Sequence, residues 1–393
     1  MKKKINKKIK IILKIKFLMK LIIFFFLSIL FKSFRNTIYK IETFNIKQFF
    51  NTSIRNNSIL IFEKNNYHYE CTPGFTKYLL DLGFNVDIIM TNIGIESFIF
   101  FEPTRKLRFF LIDNTKYNKR EEHLEKYREI FKKYLAILIQ TTNNKVKYFC
   151  RKLNLLNWKN SIFVFHDYPQ IKRFNFHNKI RSWTLLKFTN LTLEVNPHYF
   201  GNIKLRDKNK LTRFFIVSTG KRHYDELISA SNILNNENYQ FQVVVTGRSK
   251  ALNPQIIPKN IKDKFLFNLN LSYQNLLKII ETIDFIIITL NRKNPNDNNY
   301  INRKSTGSAQ IVYGFLKPCL INSDFANTYR INNENSIIFN NSKDSLYFAM
   351  REAIMMTTEE YKKKQYNLKK TADIIYEISK NNVKTTINYI LKS

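Results

Sequence analysis

Short apolar runs alternate along this chain with stretches whose apolar positions recur three and four apart, the pattern of strand–helix–strand units. Residues 58–63 (SILIFE) predict a buried strand. Phe75, Tyr78, Leu79 and Leu82 share one face of a helix ended by Gly83, and residues 84–90 (FNVDIIM) predict the next strand. Residues 98–101 and 107–112 continue the strands, a charged helix is expected over 120–134, and 135–140, 161–165 (SIFVF) and 191–195 complete a first series. Residues 32–57 read as a polar connector and 200–210 as a linker.

A second series follows. It comprises strand 214–217, helix 225–234, strands 241–245 and 265–269, a helix capped by Ser272, and the apolar strand 284–290. Residues 291–304 predict a polar loop. Ser305, Thr306, Gly307 and Ser308 then open a helix that Lys317-Pro318 ends before strand 319–321. A helix start presents unpaired backbone N–H groups and a partial positive charge, which suits a phosphate. A strand at 336–339 and helices at 343–356 and 359–391 finish the chain. The expected class is α/β, with two doubly wound halves. The expected divisions are 1–50 (basic N-terminus, short apolar anchor and connector), 51–200, 201–365, and a C-terminal helix over 366–393. Ligands of such sheets sit beyond the carboxyl ends of strands. The polar clusters His68-Tyr69-Glu70, His166-Asp167, Gly220-Lys221-Arg222, Gly247-Arg248 and Arg303 to Ser308 all fall there.

Charge and composition add less. The formal charge is +35 over 393 residues, and nine lysines lie in the first 20. Such a field favours anionic partners, but heavy use of Asn, Lys, Ile, Phe and Tyr also looks like an AT-rich coding sequence. Charge alone therefore selects no partner. Cys71, Cys150 and Cys319 have neither metal-ligand nor disulfide-framework spacing. Residues 21–31 (LIIFFFLSILF) are uncharged, and counting from Phe17 with Lys20 snorkelling lengthens the run. That is short of the roughly 20 residues a span needs. Membrane attachment, single-pass or monotopic through residues about 17–31, is the expectation, with an anionic membrane surface as partner. No nucleic-acid partner is expected, since no RNA-recognition, zinc or helix-turn-helix signature accompanies the charge.

The order of elements resembles the GT-B glycosyltransferases of the group 1, nucleotide-sugar-dependent set. SILIFE followed by HYECTPGFTKYLLDLGFNVDII resembles the acceptor-side domain. FFIVSTGKR, YQFQVVVTGR, SYQNLLKIIETIDFIIITL and STGSAQIVYGFLKPCLINSDF resemble the donor-side domain. The resemblance implies two Rossmann-like domains facing a central cleft, preceded by the N-terminal membrane helix. It implies a nucleotide-sugar donor and a glycan or lipid-linked acceptor. Gly220, Lys221, Arg222, Arg248 and Ser305, Thr306, Gly307 and Ser308 would hold the donor diphosphate. His166 would face the sugar, and Glu70 would act as general base with His68 as its helper. No DxD-type carboxylate pair ends a strand, so no metal and no cofactor are expected. One departure stands out: the two acidic positions that precede the G-x-P proline in this set are Arg303 and Ile311 here. An inactive nucleotide- or glycan-binding relative, and less directly a basic nucleic-acid-binding protein, are the alternative readings.

Overall fold

The structure is a computed structural model describing residues 42–65, 67–112, 124–176, 178–203, 205–218, 224–247 and 254–392. The anchor expected at 17–31 lies outside the described residues, and no described helix is long and apolar enough to cross a membrane.

Eight strands form the first sheet: β1 (Glu42–Asn45), β2 (Ser58–Glu63), β3 (Asn85–Thr91), β4 (Leu107–Ile112), β5 (Ala136–Ile139), β6 (Ser161–Phe165), β7 (Ser182–Thr184) and β8 (Leu193–Glu194). Their order is β1-β4-β3-β2-β5-β6-β7-β8, and every pairing is parallel. Counted from β2 this is a doubly wound sheet that reverses direction between β2 and β5. Helices cover both faces, so β2, β5 and β6 bury every residue and read as unbroken apolar runs.

The second sheet has six strands: β9 (Thr212–Ser218), β10 (Phe241–Gly247), β11 (Phe265–Leu269), β12 (Phe285–Ile288), β13 (Cys319–Asn322) and β14 (Ile337–Phe339), in the order β11-β10-β9-β12-β13-β14. It too is parallel throughout, with its reversal between β9 and β12. Helices Asp225–Asn236 and Ser345–Met355 pack on one face, Tyr273–Glu281 and Gly307–Phe315 on the other. Ser272 caps the Tyr273 helix, its hydroxyl accepting from Asn275 N at 3.2 Å. The Gly307 helix ends on left-handed Leu316 (φ 51°), just before Lys317-Pro318.

One helix, Thr358–Lys392, belongs to both halves. Its buried positions recur three and four apart from Tyr361 to Ile390. Leu368, Ala372 and Ile375 enter the core of the second sheet, whereas Val383, Ile387 and Ile390 enter that of the first. Arg330 adds a bidentate pair to Glu194 across the halves, at 2.5 and 2.7 Å. The connector after β8 runs between them and needs two glycines: a Cβ on Gly74 would lie 2.5 Å from the Pro197 backbone, and one on Gly314 would collide with Phe200 and the His198 carbonyl.

Four expectations need correction. Residues 42–50 are not connector: β1 extends the sheet, and Phe49 is buried against Phe110, Phe131 and Tyr134. Residues 53–55 are pinned as well, because buried Asp87 accepts from Arg55 (2.7 Å), Arg108 (2.6 and 2.8 Å) and the Tyr134 hydroxyl (2.8 Å). Residues 98–101 form no strand. β3 and β4 are parallel neighbours, so the chain between them must cross over the sheet, and it does so through the 3-10 turn Gly94–Phe98. Helices Asn144–Lys152 and Tyr168–Phe174 occupy stretches where the apolar pattern predicts no element. The last strand of this half shrinks to Leu193–Glu194, with β7 added before it.

Gly314→Ala is expected to lower unfolding stability by about 1–3 kcal/mol through overpacking. Gly307→Ala, with nothing within 4 Å of its added methyl, should change it by less than about 1 kcal/mol. Denaturant unfolding of the two variants checks the contrast; equal effects would contradict the packing described.

Candidate functional site

The carboxyl ends of the two sheets meet. The wall from the first sheet is built at its reversal point, where β2 and β5 diverge. Glu63, the last residue of β2, is 0 % exposed and accepts from Asn65 N (2.7 Å), Asn65 Nδ2 (2.8 Å) and the Thr141 hydroxyl beyond β5. Asn65 Oδ1 accepts in turn from Asn143, which caps the Asn144 helix through Val146 N and also reaches the Tyr67 hydroxyl. This network sets the loop that carries His68, whose backbone is left-handed (φ 67°). The His68 carbonyl accepts from Gln140 Nε2 at 2.7 Å.

His166, just after β6, stacks on His68 with ring centres 4.0 Å apart and planes 16° from parallel. Its Nε2 lies 3.0 Å from the Gln140 carbonyl, which can only accept. Nε2 therefore carries the proton, leaving Nδ1 as the basic nitrogen. Burial, and secondarily the charge of His68, hold His166 well below the usual histidine range. Burial also opposes protonation of His68, but the hydrogen bond and charge of Glu70, 3.5 Å away, together with Glu63, outweigh it and raise its pKa. The two rings thus differ in proton affinity although they are stacked against each other. Burial lifts Glu63 from 4.5 to about 7, against the opposing pull of Thr141, Asn65 and His68.

The opposite wall is the start of helix Gly307–Phe315. Thr306 caps it, accepting from Ser308 N at 3.4 Å, and Ser305 is half-buried beside it. An added Cβ on Gly307 would meet nothing within 4 Å, so neither side chain nor backbone crowds the first turn there. One turn on, Gln310 receives the Cys71 thiol at 3.7 Å across the domains. Asp167 and Lys304 form a backbone bridge, and Tyr168 N donates to the Arg303 carbonyl at 2.8 Å. Four buried polar atoms near these contacts, Gln140 Oε1, Asp167 Oδ1, Gln310 Nε2 and Thr72 Oγ1, have no hydrogen-bond partner among the described residues. Native proteins rarely leave such atoms unmet without a ligand or water to meet them.

His68, Glu70 and His166 are thus together on one wall, and Ser305, Thr306, Gly307 and Ser308 together on the other. Gly220, Lys221, Arg222 and Arg248 lie outside the described residues. Their strands β9 and β10 end in register, Ser218 beside Gly247, on the same carboxyl edge. Ile311, at one of the expected acidic positions, is 8 % exposed and belongs to the hydrophobic core. Arg303, at the other, is engaged through its carbonyl. Sequence reasoning missed Glu63, Gln140 and Gln310; a carboxylate closing an apolar strand was the single available sign.

No family model matches the chain, and no curated protein matches it. Solved structures do. A glycosyltransferase from Rickettsia africae superposes with a TM-score of 0.54 at 12 % identity, over 86 % of this chain and 100 % of that one. The Anabaena protein HepE, crystallised with UDP-glucose, gives 0.49 at 9 % identity over 84 % and 98 %. An E. coli heptosyltransferase with ADP gives 0.43 at 10 % identity over 77 % and 99 %. The fold is that of the GT-B glycosyltransferases.

Between about pH 4.5 and 7 the folded chain keeps a proton on Glu63 that the unfolded chain has released. Stability is therefore expected to fall as pH rises through that window, by roughly 3 kcal/mol. Glu63→Gln should remove this component, as read from denaturation midpoints at a series of pH values. An unaltered slope would contradict the assignment. Imidazole NMR should find His68 titrating above the ordinary histidine value and His166 below it, and Glu70→Gln should lower His68. A His68 unmoved by Glu70→Gln would remove the pair.

Proposed function

We propose that the chain is a glycosyltransferase that moves a sugar from a nucleotide-diphosphate donor to a glycan or lipid-linked acceptor without a metal. The observation that carries this reading is the cleft itself. A capped helix start comes from one domain and two stacked imidazoles from the other, the Asp167–Lys304 bridge and the Cys71–Gln310 contact join the two walls, and unpaired buried polar atoms stand near those contacts. A sugar diphosphate offers both anionic oxygens and hydroxyls to such groups. The likeness in fold to a Rickettsia africae protein described as a glycosyltransferase supports the same reading.

In this reaction an acceptor hydroxyl attacks the anomeric carbon, the bond from that carbon to the diphosphate breaks, and the hydroxyl proton leaves to a base. Glu70 is the base in our reading. His68 beside it is the helper that shares its proton, and His166 orients the sugar through Nδ1. The diphosphate leaves with the bonding electrons, so its charge must be offset as it develops. The first turn of the Gly307 helix, with Ser305, Thr306, Gly307 and Ser308, supplies N–H and hydroxyl groups for this. Gly220, Lys221, Arg222 and Arg248, which follow β9 and β10 in the sequence, would add a side-chain-free position and three cations. Attachment through residues 17–31 would hold the enzyme at an anionic membrane, near lipid-linked acceptors. One observation favours a second reading, an inactive nucleotide- or glycan-binding relative: the two expected acidic positions are Arg303 and the core residue Ile311.

Thermal stabilisation by UDP-, GDP-, CMP- and ADP-sugars, followed by assay of released nucleotide, tests the proposal. At least one donor should stabilise the protein and be turned over. Binding without turnover would favour the inactive relative, and no response to any donor would contradict both readings. Lys221→Ala and Arg222→Ala should each weaken nucleotide-diphosphate binding by about 1–3 kcal/mol. Unchanged affinity in the double variant would remove that assignment.

A further inference from the structure

Lysine is spread along the sequence, but the fold does not spread its charge evenly. Three helices share the hydrophobic layer on one face of the eight-stranded sheet: Leu124–Phe131, Asn144–Lys152 and Tyr168–Phe174. They carry eight Lys or Arg and two Glu. A comparable layer on the six-stranded sheet, Asp225–Asn236, Ser345–Met355 and the turn Lys259–Lys264, carries four residues of each sign. A coding bias toward lysine cannot sort charge between two layers of one molecule, so the asymmetry belongs to the surface. Lys126, Lys145, Arg151, Lys152, Lys172 and Arg173 are all exposed. Val146, Phe149, Ile171 and Phe174 hold the same helices in the core, which fixes the basic side outward.

We propose that this helical layer of the N-terminal domain is a docking face for an anionic lipid surface. Charge complementarity is the first argument: each Lys or Arg near such a surface adds attraction that accumulates over the patch. The second is Tyr148, 52 % exposed among these cations, with Lys152 Nζ 5.5 Å from its ring. An amphipathic ring amid lysines suits the depth of lipid headgroups. The third is where the rest of the chain leaves. The apolar run ends at Phe31, and ten residues, at most about 35 Å when extended, separate it from Glu42. Phe49 then packs on Tyr127 and Phe131 of the first helix in the layer. Whatever the apolar run enters therefore lies within about 35 Å of Glu42, on a chain that joins the basic layer through Phe49. An RNA ligand gains nothing from that tether, so lipid is the better match.

The face also adjoins the cleft. The Asn144 helix starts at Asn143, in the network of Glu63, and the Tyr168 helix starts directly after His166-Asp167. Docking would bring the cleft mouth beside the headgroups. The docking face rests on the membrane attachment proposed for residues 17–31 and does not need the sugar-transfer chemistry.

The test uses the full chain, whose three native cysteines are buried. An environment-sensitive thiol probe is placed at Tyr148→Cys, and in a second protein at Phe348→Cys, an exposed site on the other domain. Vesicles of phosphatidylcholine with about 30 % phosphatidylglycerol should shift the probe at 148 to shorter wavelength and cut iodide quenching several-fold. The probe at 348 should not change, and neutral vesicles should move neither. Lys145→Glu/Arg151→Glu/Lys152→Glu should abolish the response at 148 even if the N-terminal run keeps the protein on the vesicle. Lys259→Glu/Lys262→Glu/Lys264→Glu, with the same change in charge, should preserve it. No response at 148, equal responses at 148 and 348, an equal response to neutral vesicles, or a response to transfer RNA in place of lipid would each overturn the proposal. Nucleotide-sugar binding is read separately by thermal shift. Its absence leaves a positive docking result standing, and its presence without docking removes only the docking face.

Discussion

Two parallel sheets that each bury an apolar layer on the same 35-residue helix cannot move independently without exposing that layer to water. A large apolar side chain fully buried is worth about 1.5–3 kcal/mol. Leu368 and Ile375 on one side, and Val383, Ile387 and Ile390 on the other, together approach the whole net stability of an ordinary domain, about 5–15 kcal/mol. The connector after β8 is threaded against Gly74 and Gly314, where only a missing Cβ allows backbone to pass, so the second link between the halves is equally tight. Glu194 and Arg330 then fix the rotation. Breaking such a pair leaves Glu194, 5 % exposed, without its partner.

That constraint is what gives the polar groups of the cleft their meaning. Doubly wound sheets leave a crevice where the strand order reverses, and here loops beyond the two sheets meet through the Asp167–Lys304 bridge and the Cys71–Gln310 contact. Each wall would be unremarkable alone: a capped helix start on one side, a histidine loop on the other. Held opposite one another they form a gap with excess hydrogen-bonding capacity and two imidazoles of unequal proton affinity. Glu63 shows the cost of building it, since a fully buried carboxylate is kept for the loop it organises while its proton affinity rises to about 7. The charge of the chain is sorted in a similar way, with the helices over β5 and β6 basic and one layer of the second sheet, helices Asp225–Asn236 and Ser345–Met355 with the turn Lys259–Lys264, balanced.

Much of this was legible in the sequence because fully buried parallel strands leave unbroken apolar runs. β2, β6 and β12 fall within SILIFE, SIFVF and DFIIITL, where those runs predict them. The Gly307 helix was legible too, its small capping residues and terminal Lys-Pro acting through backbone chemistry alone. The misses have a common cause. Helix Asn144–Lys152 buries only Val146, Phe149 and Cys150 among five polar or charged neighbours and Tyr148, too thin a stripe to stand out in a lysine-rich chain. β1 is an edge strand with no buried residue of its own, so it carried no apolar signal. Residues 98–101 looked like a strand because aromatic clusters and strands draw on the same residues. At the site, His68 and His166 were each visible, but their stacking joins positions 98 apart and depends on how β2 and β6 are spaced in the sheet. Glu63 and Gln310 take their importance from burial and from the facing domain, which no local pattern encodes.

Native-state hydrogen exchange along Thr358–Lys392 measures the brace most directly. Amides from Tyr361 to Ile390 are expected to open with one free energy, close to that of global unfolding and shared by the central strands of both sheets. Residues beyond Ile375 exchanging like a frayed terminus, while β2 and β6 stay protected, would contradict it.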